Sequence, residues 1–477
     1  LTFAPDVRTL TIAVGLSSVS VENARMNSLA EVPELDFDAV HARAVGQWRK
    51  ALGDIVVEGG SRDEMTNFYT AQYHTKLMPN LMNDVNGEYR RHDQTVARMP
   101  EGKSYYSTFS LWDTFRAWNP LQTLVDTALV NDMIRSMLDM YDSTGELPIW
   151  PLASGETGTM IGYHAVSVIA DAYLKGIRGY DADKALEAMI RSSNINKKGS
   201  DYYTAQGYIP SNIKRESVSC TLEYAYDDWA IARMAQAMGR DDVFGEYARR
   251  ALNYVNVFDG SICFFRGRQS DGNWSAPFEE FATGRDYTEA TPWHYRFFVP
   301  HDVNGLIQLF GSRETFIREM DRLFTLESDE MQLDVSDVTG LMGQYAHGNE
   351  PSHHMAYLYN YVGQPWKTQE LTRRLLHEMY APTPEGIIGN EDCGQMSAWY
   401  VLSSLGMYEA EPAGGRYWFG SPLFDRAEVK VPGGVFTITA ENNSAANKYI
   451  QRIWLNGQPY TKPWIGHADL MKGGELR

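Results

Sequence analysis

Residues 121–141, LQTLVDTALVNDMIRSMLDMY, place Leu121, Leu124, Val125, Leu129, Met133, Ile134 and Leu138 three and four residues apart. That period lines them up on one face of an α-helix, and so apolar a face must pack on a neighbour. The same period recurs on both sides. Before it come a stretch opening at Phe37-Asp38-Ala39-Val40 and running to about residue 56, and a stretch over 62–82 carrying Phe68, Tyr69, Tyr73 and Leu77. After it come stretches near 159–177, 181–193, 221–238, 241–257, 302–311, 313–325, 353–362, 366–379 and 395–408. About twelve helices of ordinary length result. Long loops part them at 84–110, 143–158, 194–220, 259–300, 326–352 and 381–394, one after every second helix. Loops of that length usually carry function. Paired helices with long loops on one side suit a closed double ring, and equally an open stack of helix pairs. No self-similarity at a helical-repeat period is present, which weighs against the stack.

The ends read differently. Leu10-Thr11-Ile12-Ala13-Val14 alternates as a strand does, and Val19-Ser20-Val21 fits the edge of a β domain. Strand patterns return in Val429-Lys430-Val431, Val435–Thr439 and Tyr449–Leu455. The expected division is therefore 1–32 as the end of an N-terminal β domain, 33–410 as a helical domain, and 411–477 as a C-terminal β segment. The terminal strands are expected to pack together or on further β structure. Without an initiator Met, and opening inside an alternating segment, the sequence is expected to be a piece of a longer protein.

Composition narrows the function. Lys and Arg number 43 against 61 Asp and Glu, a net charge of −18. Such an excess argues against nucleic acid or an anionic membrane as partner. Aromatic residues make up 12% of the 477, which excludes a disordered acidic chain. No apolar run is long enough to span a membrane. Three cysteines, Cys220, Cys263 and Cys393, imply no disulfide framework and show no zinc spacing.

Five loop clusters concentrate chemistry. In Ser110–Arg116, Trp112 lies beside Asp113 and Arg116, which share a helix face and suit either an ion pair or a grip on two sugar hydroxyls. In Tyr287–Tyr295, Glu289 lies among Tyr287, Trp293 and Tyr295, next to His294. An aromatic pocket pushes a carboxyl toward its neutral form, as a proton donor near pH 7 requires, although a solvated glutamate in a capping stretch fits too. Further on, Asp302 suits a helix N-cap. Gly343–His354 holds Gln344, His347, Asn349, Glu350, His353 and His354. Pro351 and Gly348 break the helix that a zinc-protease motif needs, and the oxygen donors suit a hard cation better. In Gly389–Tyr400, Glu391 and Asp392 sit between glycines at a helix start, where a loop can aim both at one site or one can cap. In Trp150–His164, Glu156 and His164 are candidates to line one cavity, and Tyr224–Trp229 is a weaker echo.

Markers of nucleotide, phosphate-loop, serine-hydrolase and zinc-protease chemistry are absent. Carboxylates and aromatics remain, the tools of glycoside hydrolysis.

These clusters, in this order, resemble glycoside hydrolase family 92, the calcium-dependent exo-α-mannosidases of bacteria. The resemblance rests on 110–116, 150–164, 289–302, HGNEPSHH at 347–354, GNEDCGQMSAWY at 389–400 and His467-Ala468-Asp469. It implies a mainly α fold, an (α/α)6 barrel behind an N-terminal β-sandwich. It also implies hydrolysis with inversion, and a Ca²⁺ that contacts the mannose. Carried over by motif, Glu289 is the general acid and Asp392 the general base, with Glu391 and Asn390 near the attacking water. Asp113 and Arg116 contact the terminal mannose, and Trp112, Glu156, Trp293, His294, His353 and His354 complete the sugar-binding set. Gln344, Asn349 and Glu350 lie close to the calcium. The implied partner is a mannose-containing oligosaccharide, and the implied location is secreted, periplasmic or on a bacterial cell surface. A non-catalytic sugar-binding domain, or an (α/α)6 enzyme such as a trehalase-like hydrolase or polysaccharide lyase, are the alternatives.

Overall fold

The structure is a computed structural model and describes residues 3, 6–195, 197–327 and 336–477. Asp126 divides the stretch 121–141 into two helices. It ends Trp118–Val125 and starts Thr127–Thr144, where its carboxylate accepts the Leu129 N–H at 3.0 Å. A side chain that satisfies a free amide of a first turn favours a new helix over continuing the old one. The stretch 62–82 stops early, as Arg62–His74. Ser61 and Glu64 form a capping box at its start, and Pro79 disfavours helix in the residue before it.

Phe37–Ala51, Ala165–Leu174, Ala182–Ser193, Ser217–Ala237, Asp241–Arg250, Val303–Leu309, Arg313–Thr325, Pro365–Glu378 and Gln395–Ser404 form where the periodicity predicts them. Over 353–362 the backbone tightens instead into the 3₁₀ helix Met355–Asn360. Ser217–Ala237 and Gln395–Ser404 are buried nearly all round, so both run through the interior. Their starts face the long loops.

The N-terminal expectation is corrected. Val21–Glu31 is a helix, capped by Ser20, and among the described residues before it there is no strand. Leu10, Ile12, Val14 and Leu16 alternate in sequence, but all are exposed and join no sheet among the described residues. Alternation makes a strand only where a neighbour supplies the ladder.

Elsewhere the strands do meet. Ile55–Glu58 pairs antiparallel with Arg426–Val431, which pairs with Gly434–Thr439; Gly474–Leu476, Ile453–Leu455 and Gln458–Tyr460 complete a six-stranded sheet. Only the end of the expected strand 449–455 is one. A smaller sheet joins Met407–Tyr408, Arg416–Phe419 and Trp464–Gly466. No helix among the described residues is long and apolar enough to cross a membrane.

One buried ion cluster ties the C-terminal segment to the helices. Lys175 Nζ lies 2.7 Å from Asp171 and 2.5 Å from Glu409, with the Tyr417 hydroxyl at 3.2 Å. The two carboxylates also accept the backbone N–H groups of Ala413 and Gly415. Removing one partner of a buried pair leaves the other charge unpaired. Lys175→Met is therefore expected to cost about 3–5 kcal/mol in denaturant unfolding. A loss below about 1 kcal/mol, the scale of an exposed pair, contradicts this role.

Candidate active site

The five loop clusters are knit into one rim. Trp150 Nε1 donates to Ser110 Oγ at 2.8 Å, and Phe109 N–H to the Pro151 carbonyl at 3.3 Å. Asn349 Nδ2 donates to the Glu289 carbonyl at 2.8 Å. Gln395 Oε1 accepts the N–H groups of Ala117 and Trp118, while its Nε2 meets His353 Nδ1 at 3.0 Å. Gly389 presses on Gly348 with φ +77°, and a Cβ there would lie 2.7 Å from the Gly348 carbonyl oxygen.

At the rim's centre stand three carboxylates. Asp113, Glu350 and Asp392 each bring an oxygen within 4.8 Å of the other two. Burial comes first among the causes that raise all three above the usual carboxylate range, and mutual repulsion adds to it for Asp113 and Glu350. Asp113 Oδ2 accepts from Ser110 Oγ. Asp113 Oδ1 and Glu350 Oε1 are buried without a hydrogen-bond partner among the described residues. Unpartnered buried oxygens of like charge fit a hard divalent cation such as Ca²⁺, whose ligands are oxygens.

Glu289 stands beside this cluster. Its carboxyl is pushed up to about 7, by burial first and then by the charges of Asp337, Asp392 and Glu216. Glu289 (φ +47°), Asp392 (φ +51°) and Cys393 (φ +56°) hold left-handed backbone, which side chains other than glycine rarely adopt. Strain of this kind gathers at functional sites, where the fold fixes a side chain against local preference. Glu391 explains how Asp392 is freed: its own carboxylate accepts the Gly394 N–H at 2.6 Å and the Ser397 N–H at 3.3 Å, so it caps the helix Gln395–Ser404. Glu391, expected near the attacking water, is thus placed at the start of that helix, beside Asp392.

Several other expected residues lie deep in the protein. Trp112 is 1% exposed and donates its indole N–H to Glu223. Trp293 is 0% exposed, against Phe264 and Arg296. Neither ring offers a face to a sugar. Arg116 stacks on Trp112, Phe115 and Phe298, lies 3.6 Å from Glu223, and lines a small cavity together with Glu350 and His354. His294 accepts the Thr291 N–H and caps its own short helix; burial lowers it to about 4, so it is neutral. His353 spends both nitrogens, on His347 O and Gln395, and His354 meets the Phe297 carbonyl. Glu156 accepts three backbone N–H groups, from Ile149, Trp150 and Gly158, and holds its hairpin instead of sharing a cavity with His164. Among the expected metal residues, Glu350 joins the cluster. Asn349 turns to the acid loop, and Gln344 donates to the Leu326 carbonyl. Asn390 donates to Asp337 at 2.9 Å. His467 is buried against Tyr417.

Asp337, Glu216 and Glu223 went unread in the sequence. Glu223 and Asp227 are four residues apart on a helix with apolar neighbours all round, a spacing that signals a buried pair in need of partners.

A helical body that gathers a raised glutamic acid and a carboxylate cluster on one rim suits the catalytic domain of a glycoside hydrolase. The chain belongs to glycosyl hydrolase family 92, whose catalytic domain matches residues 23–477. It is similar to the family GH92 alpha-mannosidase BT3965 of Bacteroides thetaiotaomicron, at 39% identity over 97% of this chain and 62% of that one, with a TM-score of 0.92. The complex of BT3965 with mannoimidazole gives a TM-score of 0.93 at the same identity and coverage. The family GH92 inverting mannosidase BT2199 of the same bacterium is 36% identical over 96% of this chain and 65% of that one, with a TM-score of 0.88. An uncharacterized secreted glycosidase of Arthroderma benhamiae is 27% identical over 97% of this chain and 59% of its own length. The chain thus spans about three-fifths of the length of these relatives.

The carboxylates set a pH dependence. With Asp113, Glu350, Asp392 and Glu289 all raised, the folded chain without a cation holds more protons than the unfolded chain from about pH 4 upward, and for Glu289 until about 7. The contribution of these four groups is therefore fullest below that window and is lost as pH rises through it, while buried imidazoles held neutral, such as His294, work the other way below about 6.5. In chelator, the melting-temperature gain of Asp392→Asn over wild type, from removing one repelling charge, is therefore expected to grow between about pH 5 and pH 8. A gain that stays constant or shrinks across that range would count against the cluster's crowding.

Proposed function

We propose that the chain is the catalytic domain of an inverting, calcium-dependent exo-α-mannosidase acting on terminal α-linked mannose of mannose-rich glycans. One observation carries this reading: Glu289, neutral near pH 7, beside a carboxylate cluster that includes Asp392. Family membership and the mannosidase neighbours support the substrate class, and the inverting mannosidase BT2199 supports the stereochemistry. In this reading the helices close into an (α/α)6 barrel, which the whole protein carries behind an N-terminal β-sandwich. A secreted, periplasmic or cell-surface location accords with the secreted fungal relative.

Glu289 donates its proton to the glycosidic oxygen as the bond to the departing sugar breaks. Asp392 takes a proton from the water that attacks the opposite face, and the released mannose has inverted configuration. Room for that water requires the two carboxyls about 6.5–9.5 Å apart. Asp113 and Glu350, with Asp392 in reach, would hold Ca²⁺, which when bound supplies positive charge for the sugar hydroxyls and for ring distortion toward the transition state. Asn349 fixes the acid loop, and Glu391 fixes the start of the base's helix.

The test uses a panel of α-mannobioses with and without chelator. Chelation should stop hydrolysis and Ca²⁺ restore it, with β-mannose appearing first by NMR. Glu289→Gln should lose at least about 10²-fold in kcat on a mannobiose but far less on a dinitrophenyl mannoside, whose leaving group needs no acid. Asp392→Asn should lose about 10²-fold on both. Activity in wild type should fall above about pH 7 as Glu289 loses its proton. Unimpaired turnover in either variant refutes the role given to it.

A further inference from the structure

Behind the rim, in the interior, lies a second set of charges that the reaction does not consume. Glu223 is 0% exposed, on the helix Ser217–Ala237. Its Oε1 accepts from Trp112 Nε1 at 3.1 Å and from the Tyr295 hydroxyl at 2.7 Å, and Arg116 Nη2 stands 3.6 Å away. Its Oε2 meets His164 Nε2 at 2.7 Å, and His164 Nδ1 meets Asp227 at 2.8 Å. The His164 ring lies flat on Phe115, with centroids 4.4 Å apart.

These partners come from three different loops of the rim. Trp112 is the residue before Asp113, on the short helix Leu111–Thr114. Tyr295 ends the short helix Pro292–Tyr295, which starts three residues after Glu289. One turn before Glu223 on the same helix, Ser219 Oγ accepts the Thr288 N–H at 2.9 Å, the residue before Glu289. One helix face thus grips the acid loop on both sides of Glu289 and the cation loop beside Asp113. Two carboxylates face two cations here: Glu223 and Asp227 against Arg116 and His164. Burial opposes the charge on His164, but Asp227 and Glu223 outweigh it and hold the imidazole up at about 9. Balanced in this way, Glu223 remains a carboxylate with enough acceptor capacity for several donors at once.

We propose that Glu223 is a positioning residue that sets the cation-binding carboxylate Asp113 and the general acid Glu289 in register, through Trp112 and Tyr295 respectively. The proposal rests on the function read above. It makes no contact between Glu223 and the sugar. It assigns the two arms different consequences: Trp112 governs where Asp113 stands, and Tyr295 governs where the Glu289 loop stands. Groups that orient ligands and catalytic side chains from behind are worth about 10–100-fold in metal affinity or activity.

The experiment removes one arm at a time in the full chain and reads three quantities: melting temperature in chelator, Ca²⁺ affinity by calorimetry, and kcat with KM on a mannobiose. Tyr295→Phe deletes one donor and should lower kcat about tenfold, with Ca²⁺ affinity and KM within about twofold of wild type. Trp112→Phe should weaken Ca²⁺ about tenfold, and its kcat should recover at saturating Ca²⁺. Glu223→Gln keeps the size and one acceptor oxygen and should show both defects. A purely structural Glu223 would lower the melting temperature in all three and leave the folded fraction with wild-type affinity and kcat, and that result overturns the proposal. So do the two arms giving one undivided defect. If Glu223→Gln does not fold, the two single-donor variants decide alone. A wild-type chain that neither binds Ca²⁺ nor cleaves mannosides overturns the functional reading, and this inference with it. A working wild type with unaffected variants overturns this inference only.

Discussion

Crowding of like charge is the constraint on which the rest of this structure depends. Asp113, Glu350 and Asp392 come from three distant parts of the chain and converge within 4.8 Å, mostly out of water. Buried carboxylates repel and would prefer protons, and the Ser110 hydroxyl on Asp113 is a small local hold against that. What holds them is the packing behind. Gln395 pins the Ala117–Trp118 turn to His353, and Trp399 Nε1 donates to the His353 carbonyl. The interior helices Ser217–Ala237 and Gln395–Ser404 form a floor from which the loops cannot retreat.

The backbone shows the same constraint. Glu289 and Asp392 both hold left-handed conformations, at a cost of about 1–3 kcal/mol each. Gly394, with φ +101°, stands where a Cβ would come within 2.4 Å of the Trp118 ring. Without that glycine the loop 389–394 could not close on the helix it precedes. Glu391 satisfies the helix start, so Asp392 is left free to face the cluster.

Much of the fold was legible in the sequence because helices declare themselves locally. Apolar period and caps such as Ser61 with Glu64 sufficed for most of them, and Asp126 was the cap that went unread. The N-terminal strands failed because alternation in 10–16 says nothing about whether a partner strand is present. The site was legible as a set of loops and less so as a set of roles. Glu289, Asp113, Glu350 and Asp392 stand together, but Trp112, Trp293 and His353 face inward. Composition cannot tell an aromatic ring that meets a sugar from one that fills the core. Glu223 escaped notice because its partners lie 59, 72 and 111 residues away.

A cation that relieves the crowding of Asp113, Glu350 and Asp392 must displace their protons. Calorimetric titration of Ca²⁺ near pH 6, repeated in two buffers of different ionisation enthalpy, should then show one ion bound per chain with net release of protons, because raised carboxyls ionise to accept it. Absence of binding, or binding with the same heat in both buffers, would contradict this.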